Sequence, residues 1–200
     1  MRSAKGRFII LRTIRFGDAD LIVHAMGEKG GRRSFFARSA LKSRKRFGGG
    51  VLEPTHFVEF SYRDRGENSE SMPHLEEARL LEGFSGLRSD YARLEMALYF
   101  LQLVSRVATE GEGEDPDMFL HLGSGLRGLE SATDFLKLKT HFETRLLFLH
   151  GVLSTDANYP AALTEPLQRH NSISLSDYDW TQWRGRVHHI LGQYAGEIQT

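Results

Sequence analysis

Residues 8–38 read FIILRTIRFGDADLIVHAMGEKGGRRSFFAR and contain three short apolar runs, separated by polar and glycine-rich breaks. Short runs of apolar and β-branched residues between such breaks are typical of β-strands. We therefore predict strands over residues 8–15, 20–26 and 33–38. The breaks between them are short, which indicates that consecutive strands are joined by tight turns and lie side by side.

Two further strands are predicted downstream. Residues 55–62, THFVEFSY, alternate as a strand does, and residues 75–82 follow after a polar hairpin loop over residues 64–73. The last of these runs also suits a helix by propensity. Five strands within about 80 residues, with turn signals between them, favour a small antiparallel barrel or sandwich. A five-stranded OB-fold barrel is one member of that set, and strand spacing alone does not select it.

Positive charge is concentrated between Arg32 and Arg46, which we name the basic segment. It carries seven cations and no acidic residue. Each phosphate that a Lys or Arg neutralises releases counterions, so a dense run of cations is suited to nucleic acid. A solvated loop is the alternative reading. The predicted DNA-binding residues are Arg32, Arg33, Arg38, Lys42, Arg44, Lys45 and Arg46.

Aromatic residues are interleaved with these charges. Phe35 and Phe36 are adjacent in a predicted strand, where neighbouring side chains point to opposite faces, so at least one should face the core. An exposed ring in this segment would be able to stack on unpaired bases. Residues 40–47, which end with Phe47, suit either a helical turn or a loop.

The charges are divided unevenly along a chain that is neutral overall. Residues 1–65 hold 15 Lys and Arg against six Asp and Glu, whereas residues 66–200 hold 11 against 20. Such asymmetry indicates two units with different electrostatic roles, the first suited to nucleic acid or another anionic surface.

Composition limits the other classes of protein. The chain has no cysteine, which excludes disulfides and thiolate metal sites. No apolar run approaches the ~18 residues of a membrane span. The basic N-terminus lacks the long apolar core and the small-residue cleavage site of a signal peptide. We therefore expect a cytoplasmic protein.

The hydrophobic period changes to that of helices after residue 83. We predict helices over residues 89–109, from Asp115-Pro116 onward, from Asp134 to Leu149, and through a last stripe that includes Trp180 and Trp183. Glycines in the second helix weaken it but allow close packing. The predicted fold class is therefore α+β, with an OB-fold-like nucleic-acid-binding barrel over residues 1–83 and an all-α domain over residues 84–200.

Several short motifs occur in a set order. They are the polar turn Asp18-Ala19-Asp20-Leu21, the glycine turn Glu28-Lys29-Gly30, the small and basic run of residues 37–46, Leu52-Glu53-Pro54 before the fourth strand, and Phe142-Glu143-Thr144-Arg145-Leu146-Leu147 followed by Gly151. This order, which covers most of the chain to about Tyr159, resembles the RecO family of bacterial recombination mediator and DNA repair proteins.

The resemblance implies an N-terminal OB fold, a C-terminal helical domain and a nucleoid-associated protein. It also implies binding to single- and double-stranded DNA and annealing of complementary strands. Contacts with RecR and with single-strand-binding protein are implied as well, together with help in loading RecA onto coated DNA. Many relatives carry a cysteine zinc site after the last of these motif groups, but residues 154–163 contain no cysteine, so we expect no zinc. The chain is also short for the family pattern.

No group of residues suggests a reaction. The histidines form no metal-binding pattern, the carboxylates of Asp18 and Asp20 suit turns, and no nucleophile, base or phosphate loop accompanies them. We expect a non-enzymatic protein without a cofactor. An RNA-binding OB module and a scaffold whose basic face docks an acidic protein remain open alternatives, as does the oligomeric state. A partner-peptide site is predicted at Lys137, Lys139 and Arg145, which are rare cations in an acidic domain.

Overall fold

The computed structural model describes residues 2–64, 71–111, 113, 116–153 and 165–197. Three sequence features lie outside these residues: most of the predicted hairpin loop, the helix start at Asp115, and the cysteine-free stretch 154–163.

Contacts divide the chain into two compact units. One comprises Met1–Phe84 with Ala108–Phe119, and the other Ser85–Val107 with Leu120–Thr200. We name them the barrel unit and the helical unit. The proposed roles of the two domains stay predictions.

All five predicted strands are present. They are β1 (Arg2–Phe16), β2 (Asp20–Gly27), β3 (Arg32–Ala37), β4 (Phe57–Asp64) and β5 (His74–Glu82). The largest difference from the prediction is that β1 begins at Arg2 rather than at residue 8. Its first half carries few apolar residues, and it is a strand because it pairs with β4 from Arg2↔Asp64 to Ile9↔Phe57.

The strands close into a barrel in the order β1-β2-β3-β5-β4. β1 pairs antiparallel with both β2 and β4, and a β-bulge between Ile10 and Arg12 lies where it passes from one partner to the other. A bulge bends a strand and so helps a sheet to curve. β3 and β5 run parallel and meet at one pair, Phe36↔His74, which closes the barrel. The predicted OB-fold-like barrel is confirmed.

Aromatic rings fill the barrel. The Phe35 side chain is fully buried, with its ring centroid 5.0 Å from that of Phe8 and 5.3 Å from that of Phe60. The Tyr62 ring lies 5.1 Å from Phe35 on another side. Truncating a buried Phe of this kind typically costs about 3–5 kcal/mol. The core partner of the Phe35-Phe36 pair is therefore Phe35, and Phe36 lies on the outer face.

Between β3 and β4 the chain forms a short helix, α1 (Arg44–Phe47), so residues 40–47 contain a helical turn. The helical unit that follows contains α2 (Tyr91–Val107), most of α3 (Asp117–Ser131), α4 (Phe135–Leu149) and α5 (Asp177–Glu197). Asp134 caps α4, as predicted, by accepting from the Lys137 N–H at 3.0 Å. Within the described ranges, no helix combines the length and the apolarity that a membrane crossing requires.

Close packing in the helical unit depends on a glycine of α3. The rings of Phe100 and Phe142 stack with centroids 3.8 Å apart, and a Cβ at Gly125 would lie only 2.7 Å from the Phe142 ring. Gly125 therefore destabilises the helix by about 1 kcal/mol relative to alanine, but it allows the Phe142 ring to approach closely. This agrees with the packing role predicted for the glycines.

Two histidines of the helical unit are buried in their neutral form. His121 hydrogen-bonds through Nε2 to the Phe142 carbonyl at 3.1 Å, and His141 through Nε2 to the Glu165 carbonyl at 2.8 Å. Burial lowers the pKa of His121 to about 3 and that of His141 to about 4, and the positive charge of Arg145 acts in the same direction.

We predict that these histidines destabilise the helical unit as pH falls. The unfolded chain takes up protons near pH 6.5, whereas the folded chain does so only near pH 4 or below. Stability is therefore complete above pH 6.5 and is lost as pH falls toward 4, by about 2 kcal/mol per histidine between pH 7 and pH 5. Urea unfolding followed by Trp fluorescence at both pH values measures this loss.

The variant His141→Gln should lose less stability over that interval than the parent chain. The matched control is His188→Gln, at an exposed position of α5. Equal pH dependence in the parent and in His141→Gln would show that His141 is not the group that titrates.

Candidate nucleic-acid interface

The basic segment runs from β3 through a turn into α1. Four of its cations, Arg38, Lys42, Arg44 and Lys45, have exposed side chains. None of the four forms an ion pair with any residue that the structure describes. The four lie within eight residues of the chain, and because no described ion pair engages their charges, these are available to an anion.

The turn that carries these cations is anchored at both ends. Phe47, the last residue of α1, is buried in the barrel core. Ser43 caps α1, because its Oγ accepts from the Arg46 backbone N–H at 3.4 Å and from Arg46 Nε at 3.2 Å. Arg46 also donates through Nη2 to the Arg38 carbonyl at 2.8 Å. Arg46 thus holds the turn closed, while its exposed neighbours point outward.

The β1–β2 turn and the first residue of β2 support the part of the basic segment that follows β3. The Ser39 N–H donates to the Asp20 carboxylate at 2.6 Å, and the Leu41 N–H donates to the Ala19 carbonyl at 2.9 Å. Ser39 has a φ of 55°, a left-handed conformation that such a tight contact helps to maintain. Asp20, the first residue of β2, thus stabilises the turn that follows β3.

Arg32 and Arg33 are placed differently from the other cations. Arg33 Nη2 lies 2.6 Å from Asp64 Oδ2, and Nη1 donates to the Tyr62 hydroxyl at 3.0 Å. Its guanidinium also lies 5.1 Å from the centre of the Tyr62 ring, and only 12% of its side chain is exposed. Arg32 Nη2 lies 3.8 Å from Glu110 Oε2. Both arginines are thus paired within the barrel unit.

The three cations predicted to bind a partner peptide do not form one cluster. Lys137 Nζ lies 3.6 Å from Asp177 on α5 and 5.9 Å from the centre of the Trp180 ring. Lys139 instead lies 3.2 Å from the buried Glu143 and 4.8 Å from the centre of the Tyr99 ring on α2. Lys137 and Lys139 therefore leave α4 on different sides, and Lys139 neutralises a buried carboxylate.

A groove between α4 and α5 contains Lys137, Trp180 and Arg184, together with the acidic residues Asp134 and Asp177. Trp180 and Trp183, the two tryptophans of the predicted last helix, are both buried. Within the described parts of the chain, no group of three or more His, Asp or Glu side chains is arranged to hold a metal ion.

Comparison with known proteins agrees with this architecture. The family described as "Recombination protein O N terminal" matches residues 1–84. A protein of Syntrophobacter fumaroxidans named "DNA repair protein RecO" is 33% identical over 153 residues, which cover 76% of this chain and 59% of that protein. Proteins of the same name from Desulfatibacillum aliphaticivorans and Streptococcus suis are 33% and 27% identical, over 72% and 76% of this chain and 55% and 56% of their own lengths.

The strand order, the parallel closure and the helix between β3 and β4 define the barrel unit as an OB-fold-like domain. With the relatives just described, the chain belongs to the RecO family. It spans between half and three fifths of the length of these three relatives.

We predict that Arg33 stabilises the barrel rather than serving as an exposed cation. Replacing it by methionine keeps the length of the side chain but removes the bonds that Arg33 donates to the Asp64 carboxylate and the Tyr62 hydroxyl. Losing a partly buried, charge-assisted bond should lower the free energy of unfolding by about 1–3 kcal/mol. Urea unfolding of the full chain measures the change.

The matched control is Arg38→Met, which removes an exposed cation five residues further along the same segment. It should unfold at the same urea concentration as the parent. If Arg33→Met is as stable as the parent, the assignment of Arg33 to the barrel is wrong.

Proposed function

We propose that this chain is a DNA repair protein whose barrel unit binds the phosphates of single- and double-stranded DNA. The observation that carries the proposal is the anchored turn of the basic segment, with its four exposed cations and no described acidic partner. The names of the relatives support a role in DNA repair. The proposed contact residues are Arg38, Lys42, Arg44 and Lys45, with Arg46 holding the turn.

This surface is suited to the DNA backbone rather than to base edges. Sequence is read by side chains placed at defined positions in a groove, whereas cations on phosphate oxygens set affinity without sequence preference. Lys42, Arg44 and Lys45 lie on a single short turn and helix. Their proposed ligand is therefore a run of neighbouring phosphates, and binding should be independent of sequence and sensitive to salt.

Annealing of complementary strands follows from the same charges. Two strands repel each other as polyanions, so a protein that neutralises phosphates on both lowers the barrier to their encounter. We propose this non-enzymatic role, together with help in loading a recombinase onto DNA coated by single-strand-binding protein. Contacts with RecR and with single-strand-binding protein are proposed on family membership alone.

A site for the acidic tail peptide of single-strand-binding protein is proposed at Lys137, Lys139 and Arg145. Because Lys137 and Lys139 lie on different sides of α4, the peptide would contact only part of this set. Fluorescence anisotropy with a labelled tail peptide tests the site. Peptide affinity that is unchanged after charge reversal at all three positions would exclude it.

We predict that the triple variant Lys42→Ala/Arg44→Ala/Lys45→Ala weakens binding to every DNA sequence alike. Each lost phosphate contact removes about 0.9 from the slope of log affinity against log salt on duplex DNA, so the slope should shrink by about 2–3. A salt titration of duplex and single-stranded oligonucleotides measures it. The rate of annealing of complementary strands should fall in the same variant.

The matched control replaces three exposed arginines of the helical unit, Arg106, Arg127 and Arg184, by alanine. It removes the same net charge from the chain and should keep the parent slope. DNA affinity of the first triple variant equal to that of the parent at moderate salt would contradict the proposal.

A further inference from the structure

A second surface of the barrel is formed by the outer face of β1, β2 and β3. Paired residues of neighbouring strands point to the same face, so the register aligns side chains in rows across the sheet. One row runs from Ile14 on β1 through Ile22 on β2 and Phe36 on β3 to His74 on β5. Phe16 is two residues beyond Ile14 and therefore shares this face.

The row is apolar and open to solvent at its β1 end. Phe16 is 56% exposed and Ile14 is 38% exposed, while Ile22, Phe36 and His74 are half-buried. The Phe16 ring contacts the Phe36 ring edge to face, with centroids 5.9 Å apart, and Phe36 contacts His74 at 5.4 Å. Each ring is therefore positioned by the next one, and together they form an exposed aromatic platform.

Positive charge borders this platform. Arg12 is exposed and lies opposite His24, in the row next to Ile14 and Ile22. Arg38, from the basic segment, follows Phe36 by two residues. Asp20 lies opposite Phe16, but its carboxylate accepts from the Ser39 N–H at 2.6 Å. An occupant of this face therefore meets an apolar, aromatic centre with cations beside it.

We infer that this platform, Phe16 with Ile14, Ile22 and Phe36, stacks on the unpaired bases of a single-stranded polynucleotide whose phosphates run toward Arg38. The inference rests on the proposed function, because it assigns a second contact to the same ligand. Arg12 precedes Ile14 by two residues and Arg38 follows Phe36 by two, so a strand whose bases stack on the rings has cations on both sides for its phosphates. Stacking is tolerant of sequence because every base has a π-face.

The platform distinguishes single strands from duplex. In a duplex the bases are stacked on one another and the phosphates lie outside, so the exposed cations of the basic segment engage both forms. The rings are able to engage only the bases of an unpaired strand. The basic segment therefore sets affinity for DNA in general, and the platform adds a preference for single strands.

The test compares the affinity of the full chain for a short oligothymidylate and for a duplex of the same length. Phe16→Ala/Phe36→Ala should lose about fivefold or more in affinity for the single strand and keep its affinity for the duplex. Phe16→Trp should keep both affinities, whereas Phe16→Leu, which retains apolar area without the ring, should lose part of the single-strand affinity.

The control is Leu98→Ala, which removes an apolar side chain of comparable exposure from α2. Urea unfolding confirms that each variant folds. Single-strand affinity that is unchanged in Phe16→Ala/Phe36→Ala, or an equal loss for both ligands, would overturn the inference. An unchanged affinity would point to a protein as the occupant of this face.

These outcomes are separable from failure of the proposed function. If the parent chain binds neither ligand, the proposed function is wrong and the inference is wrong with it. If the parent binds both ligands with a steep salt dependence and the aromatic variants behave as the parent does, only the inference is wrong.

Discussion

The burial of Phe35 among Phe8, Phe60 and Tyr62 fixes the orientation of β3, and the other features of the barrel unit depend on it. Successive side chains of a strand alternate between faces. With Phe35 directed inward, Phe36 must point outward, where it meets Phe16 and His74. Arg33 shares the inward side with Phe35, and its guanidinium reaches Tyr62 and Asp64 near the end of the barrel. The ring contacts of Phe35 thus place Arg33 on the inner side of β3 and Phe36 on its outer face.

A second anchor, Phe47, completes the arrangement. The chain leaves β3 after Ala37, contacts the barrel core at Ala40 and enters it again at Phe47, so the residues between form a short loop held at both ends. The positive charges on such a short loop repel one another, which opposes ordering of the turn. The Ser43 cap, the Arg46 bond to the Arg38 carbonyl and the Asp20 bond to Ser39 offset that repulsion. The cations are therefore presented by an ordered turn.

Most strands of the barrel could be predicted because their own residues show the pattern of a strand. Apolar runs between glycine-rich breaks located β2 and β3 closely, and adjacency of Phe35 and Phe36 required one inward ring. The first half of β1 was missed because its strand conformation comes from pairing with β4 rather than from its own residues. The pairing of Arg33 was missed because Asp64 lies 31 residues away in the sequence. Phe16 lies just beyond the first predicted strand, residues 8–15, although its spacing of two from Ile14 placed both on the same face.

The central claim is that the barrel unit, through the anchored turn of the basic segment, is the part of the chain that holds DNA. The most direct measurement is an NMR titration of the full chain with a short duplex at low salt, following backbone amide shifts. The account predicts that the largest shifts fall on residues 38–47, with the amides of α4 and α5 unmoved. Shifts confined to the helical unit, with residues 38–47 unchanged, would contradict it.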